Sequence, residues 1–208
     1  IDLYKQRKWL YFGGGENSQR ANQAVTVTDH GNKFAFIGCN IAGPPAVWAT
    51  SSKPGAAKCD LESLAGEIGR LRGQGYLVIA TFQYYESYDP TPLPIHYRDF
   101  RAISDAGAVI VSGSQAHLPQ AMELRDNRFI HYGLGNLFFD QMETNWPQTR
   151  NAFIDRHVFY AGKYLGVELL TTRLEDYTRP RPMSAAERAE ELRMIFDVSN
   201  WKIDPKKE

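Results

Sequence analysis

The chain has no excess of charge of either sign: 24 Lys and Arg stand against 24 Asp and Glu in 208 residues. Without a net field there is nothing to draw in nucleic acid or an anionic membrane, and no nucleic-acid partner is expected. No apolar run approaches the roughly 18 residues needed to span a bilayer. No charged-then-apolar leader stands at the amino end, so membrane anchoring is expected only through a segment before Ile1. Internal repeats are absent. Cysteine is scarce as well: Cys39 and Cys59 bracket NIAGPPAVWATSSKPGAAK, a Gly, Pro, Ser and Ala-rich stretch without periodicity. A loop of that length inside a compact domain tends to be functional or tied down. A disulfide would tie it, stabilising by roughly 3 kcal/mol in the chain-entropy model; two buried free thiols are the alternative. Pairing would favour an oxidising, extracellular or cell-envelope location.

What is present alternates between strand and helix signals. Gln23 to Thr28 and Lys33 to Gly38 flank the turn formers Asp29-His30-Gly31-Asn32 and read as a hairpin. Asp60 is placed to cap a helix to about Arg72, with Leu61, Leu64, Ile68 and Leu71 on one face. A strand from Tyr76 to Thr81 follows, then a helix near Ile95 to Ala106 feeding a strand at Val109 to Val111. That order gives strand-helix-strand units. An amino-terminal helix from Leu3 to Trp9 is expected to lead to a strand at Leu10 to Phe12. Two antiparallel strands are expected at Arg156 to Tyr160 and Gly166 to Thr172. Ser184 and Glu187 form a capping box for a helix to about Phe196, with Thr178 to Pro182 before it as a stiff connector.

The richest stretch is Val109 to Gln141. The β-branched run ending at Val111 stops at Ser112-Gly113, so Ser114-Gln115-Ala116-His117 is expected as a loop at a strand's C-terminal end, where α/β folds place ligand-binding groups. A second strand, Phe129 to Tyr132, runs into Gly133-Leu134-Gly135-Asn136, where glycine opens backbone geometries closed to other residues. Both loops are expected on one rim.

These segments resemble the bacterial capsule-synthesis protein CapA family, also described as poly-γ-glutamate synthesis proteins. Gly133-Leu134-Gly135-Asn136-Leu137-Phe138-Phe139-Asp140-Gln141 nearly completes the family's Gly-Leu-Gly-Asn-Phe-x-Phe-Asp-Gln segment, and Gly113 to His117 aligns with its Gly-His-His-Pro-His. Tyr11 to Gly15 looks like its Gly-x-Gly loop. The likeness covers roughly residues 10 to 142. It implies a layered α/β/β/α sandwich, metallophosphatase-like with mixed sheets, here with its amino-terminal strands absent. Residues 1–208 are then expected to be one domain, the carboxy-terminal part of a longer polypeptide. Where the family has His-Trp-Gly this chain has Gln83-Tyr84-Tyr85, and Ser114 and Gln115 replace two of the three histidines. Neutral amide and hydroxyl oxygens are weak donors to borderline metals, so no cofactor and a degenerate metal site are expected. The alternative is a metallophosphoesterase-type hydrolase holding a divalent transition metal through His117, Gln83 or Gln115 and residues before Ile1.

On that reading His117 and Glu86 are the catalytic candidates, since a lone histidine titrates near neutrality. Gln83, Tyr84, Ser114, Gln115, Asn136 and Asn17 are the substrate-binding candidates, and no metal ligand is assigned. Glu86 belongs to an aromatic lip with Tyr84, Tyr85 and Tyr88, whose rings join an apolar face to a polar tip. The partner implied is an anionic or carbohydrate surface polymer. Self-assembly through Trp48 and Trp201 is a further alternative. His131 and His157 read as core histidines.

Overall fold

The computed structural model describes residues 1–140 and 146–201; Gln141, the last residue of the Gly-Leu-Gly-Asn segment, lies outside them. In chain order the elements are α1 (Asp2–Gln6), β1 (Gly14–Gly15), α2 (Ser18–Ala21), β2 (Val25–Asp29), β3 (Asn32–Asn40), β4 (Gly55–Ala56), α3 (Leu61–Gly73), β5 (Leu77–Ser87) and α4 (Pro94–Asp105). There follow β6 (Ala108–Ala116), β7 (Met122–Arg125), β8 (Arg128–His131), β9 (Asn151–Tyr160), β10 (Lys163–Glu175), β11 (Arg179–Pro182) and α5 (Ala185–Val198).

A six-stranded mixed sheet in the order β2-β3-β5-β6-β8-β7 is the frame. Its inner strands β3, β5, β6 and β8 are parallel, and β2 and β7 close the edges antiparallel. Helices α3 and α4 cover one face. Leu64, Ile68 and Leu71 from α3 and Phe100 and Ile103 from α4 pack with Ile37, Val78, Phe82 and Val111. The other face, through Leu77, Ile110 and Phe129, meets Phe153 and Tyr164 of the small sheet β11-β10-β9 and Ile195 of α5. The layered α/β sandwich with a mixed sheet is therefore present. Helix α5 stands beside the small sheet, and Ile154, Val158 and Tyr160 on β9 stay exposed.

Local chemistry explains most boundaries. Asp60 accepts from Ser63 N at the start of α3, and Ser184 and Glu187 complete their reciprocal capping box on α5. The β2–β3 hairpin turns on His30 and Gly31, both at positive φ. Cys39 and Cys59 are joined in a disulfide, with Cα atoms 4.9 Å apart.

Several expectations need correction. Leu10 to Phe12 is not a strand; the pairing falls instead on Gly14–Gly15 against Gly55–Ala56. The Thr178 to Pro182 connector is the strand β11, which pairs with β10 through Thr172↔Pro182 and Leu174↔Pro180. Its prolines are tolerated because β11 is an edge strand. The hairpin partner β7 was not expected, although its signal was present: Asp126 and Asn127 both sit at positive φ in the two-residue turn to β8, as a primed turn requires.

The two correction points that matter for function are the lengths of β5 and β6. Strand β5 continues past Thr81 to Ser87, and β6 past Ser112-Gly113 to Ala116. Gly113 does not end the strand. A Cβ there would stand 2.0 Å from Tyr132 O, so glycine is what lets β8's continuation lie close.

Candidate functional site

Because β5 and β6 run on together, their C-terminal ends place Gln83 beside Ser114 and Ser87 beside Ala116, with an irregularity between. One group of polar side chains forms on the first of these pairs. Ser114 Oγ lies 2.6 Å from Gln83 Oε1 and 3.0 Å from Phe82 O, its single proton shared between them. Gln83 Nε2 donates to Gln115 Oε1. Gln115 adopts φ +84°, a backbone region that a non-glycine residue enters at a cost. Three of the expected binding residues thus come together, and they spend their hydrogen bonds on one another.

A second group lies at the very end of the strands. His117 N donates to Ser87 O at 2.8 Å, which fixes the histidine just beyond β6. Its Nε2 is 2.9 Å from Glu86 Oε1 and its Nδ1 is 3.1 Å from Asn136 Oδ1. Asn136 Nδ2 donates to Thr149 O at 3.1 Å, which sets the amide so that Oδ1 faces the ring. Nε2 thus faces the carboxylate, which can only accept, and Nδ1 faces the Asn136 amide. Tyr88 stacks on the imidazole at 4.9 Å and an interplanar angle of 28°, Phe139 lies at 5.2 Å, and Trp146 lies 5.8 Å from Tyr88. The Tyr88 hydroxyl donates to Glu86 Oε1 at 3.2 Å. The His117 side chain is 9% exposed and that of Glu86 57%, so the histidine is set into the wall and the carboxylate faces out.

The glycines of the second loop make this possible. Gly135 has φ +77°, and a Cβ on it would lie 2.3 Å from Asn151 O. Only glycine brings the loop against the start of β9, where Asn136 meets Thr149.

The remaining expected residues fall elsewhere. Tyr84 is a correction: it lies in the core at 1% exposure, its hydroxyl donating to Asp99. Burial and that hydrogen bond push its phenol pKa up. Strand alternation explains the error, since extending β5 puts Tyr84 on the same inward face as Phe82. Asn17 accepts from Arg20 N and is spent as the cap of α2. Trp48 lies under the Lys58 ammonium at 4.9 Å and Trp201 packs on Phe196 at 5.5 Å, so both indoles rest against their own chain. Trp146 and Thr149 were missed. Nothing in a single sequence links them to His117, whereas Phe139 lay within the quoted family segment.

The family described as "Bacterial capsule synthesis protein PGA_cap" matches residues 1–141. The chain belongs to that family. Among curated relatives, "Capsule biosynthesis protein CapA" of Bacillus anthracis is 27% identical over 191 residues, covering 89% of this chain and 45% of the relative. "PGA biosynthesis protein CapA" of Bacillus subtilis is 28% identical over 148 residues, covering 70% and 38%. The chain spans less than half the length of each. Among solved structures, Haemophilus influenzae NAD nucleotidase aligns at a TM-score of 0.42 with 9% identity, over 87% of this chain and 38% of that one. A likeness at that level carries no argument about chemistry.

In this capsule-synthesis family member the Gln83, Ser114 and Gln115 side chains are poor donors to a borderline transition metal. Gln83, Ser114 and Gln115 offer neutral oxygens and nitrogens already engaged with each other, where such metals take imidazole, thiolate or carboxylate. Among the described residues no three His, Cys, Asp or Glu side chains are grouped to hold an ion. Nor is any described helix long and apolar enough to cross a membrane.

Proposed function

We propose that the chain is part of a capsule or poly-γ-glutamate synthesis or export protein acting outside the cell or on its envelope, and that the His117 rim handles an anionic surface polymer. The observation that carries the reading is the pairing of a fixed imidazole and an outward carboxylate with the aromatic wall of Tyr88, Phe139 and Trp146. Flat aromatic surface grips methylene stretches of a polymer, while His117 supplies a polar contact. The names of the Bacillus relatives support the biological setting, and the disulfide supports an oxidising compartment. A metal-dependent hydrolase is the weaker reading, because its donors would have to come from outside the Gln83, Ser114 and Gln115 group. A general-base role for His117 would require it to release Glu86 or Asn136 first.

The test is retention on immobilised poly-γ-glutamate, with dextran as the neutral comparison. Wild-type protein is expected to bind the polyanion, and His117→Ala and Trp146→Ala are each expected to weaken binding about tenfold. No retention of the wild type, or equal retention on dextran, overturns the reading.

A further inference from the structure

Two donors converge on a single carboxylate oxygen at the rim. His117 Nε2 lies 2.9 Å and the Tyr88 hydroxyl 3.2 Å from Glu86 Oε1. The imidazole is held from behind. Asn136 holds the far nitrogen of the imidazole, Thr149 O holds Asn136, and Phe139 and Tyr88 flank the ring. The carboxylate is the loose member, since its side chain is 57% exposed and hangs at the end of β5. A pair of donors, the imidazole held in place, filled by a solvated carboxylate of the same chain has the construction of a receptor occupied by an internal ligand.

We propose that Glu86 is a stand-in. His117 Nε2 and the Tyr88 hydroxyl form a seat for the carboxylate of a ligand, and Glu86 fills that seat until the ligand's carboxylate displaces it. The inference rests on the polymer-handling reading and narrows its ligand to a chain whose carboxylates alternate with short methylene stretches. A methylene stretch would lie along Phe139 and Trp146, which stand 44% and 48% exposed beside the seat. Displacement suits a polymer-handling protein physically. Each incoming carboxylate exchanges one charge-assisted hydrogen bond for another of the same kind, so the ligand is held weakly per site and can move along. Removing Glu86 therefore strengthens binding, the opposite of what a direct ligand-binding or catalytic carboxylate would do.

The experiment titrates glutarate, a five-carbon dicarboxylate, into wild type, Glu86→Ala and Glu86→Gln at one pH. The readout is the imidazole NMR signal of His117, identified by its loss in His117→Ala. Glu86→Ala is expected to bind glutarate about tenfold more tightly than wild type, with Glu86→Gln intermediate because its amide oxygen still fits the seat without a charge. Glutaramide, the uncharged analogue, is expected to show no such gain. Tyr88→Phe in the Glu86→Ala background is expected to reverse part of it. Equal or weaker glutarate binding by Glu86→Ala, or an equal gain for glutaramide, overturns the proposal. The two readings fail separately. Retention on poly-γ-glutamate with no gain in Glu86→Ala discards the stand-in and keeps the polymer; the reverse keeps the seat and discards the polymer.

Discussion

Two histidine–carboxylate pairs stand at the ends of neighbouring parallel strands, and they differ most in access to water. His131 ends β8, with Nδ1 2.7 Å from Asp155 Oδ2 on β9; His117 follows β6, with Nε2 2.9 Å from Glu86. The His131 and Asp155 side chains are 0% and 6% exposed, against 9% and 57% for the outer pair. The contact chemistry is shared, so desolvation decides what each pair is for. The inner one fastens the small sheet to the large one and has no route to a ligand. The outer one spans a wall and a solvated carboxylate, and can exchange partners.

Breaking the inner pair is the largest effect expected. Asp155→Ala leaves a buried imidazole facing an apolar surround of Phe129 and Phe153, and among the described residues His131 Nε2 and Asp155 Oδ1 already have no hydrogen-bond partner. Removing one member of a buried pair costs about 3–5 kcal/mol, measured as a lower urea midpoint at unchanged slope. A loss under about 1 kcal/mol would show that the two pairs are not different in kind.

A buried carboxyl without a cationic mate sharpens the same contrast. Glu191 on α5 is 4% exposed; Oε2 accepts from Asn151 Nδ2 at 2.6 Å, and Oε1 has no partner among the described residues. Burial, chiefly, pushes its pKa from 4.5 up to about 7, with Asn151 and Arg173 opposing and Glu190 adding to the rise. The folded protein thus holds a proton that the unfolded chain has released. This contribution to stability is fully present below pH 4.5, is lost as pH rises toward about 7, and is flat above it. Unfolding free energies measured from pH 5 to 8 should show that decline in wild type and its absence in Glu191→Gln. An unchanged slope in the variant places its origin in another group.

How much of this could be read from the sequence follows the same division. Helices α3 and α5 were legible because their caps and apolar faces are local, as were the β2–β3 and β9–β10 hairpins. The C-terminal half of β6 was not, because Gly113 reads as a stop while its function is to admit Tyr132 O from β8's continuation. The end of β5 was set too early, at Thr81, and that separate error carried Tyr84 to the rim. His117, Glu86, Asn136, Gln83, Ser114 and Gln115 were all named, yet their sorting into a neutral knot and a charged rim depends on contacts between positions up to 32 residues apart. Only strand pairing creates such contacts.

The smallest stability effect should come from the outer pair. Glu86→Gln removes a carboxylate that water solvates on its open side, and exposed ion pairs contribute about 0.2–1 kcal/mol. The variant should therefore unfold within about 1 kcal/mol of wild type, while Asp155→Ala falls well below both. This near-neutrality makes Glu86 useful for reading the rim, since a change in ligand affinity at Glu86→Gln cannot then be charged to a damaged fold. A large loss of stability would instead mean that Glu86 braces the end of β5 through His117, and that the outer pair, like the inner one, is part of the frame.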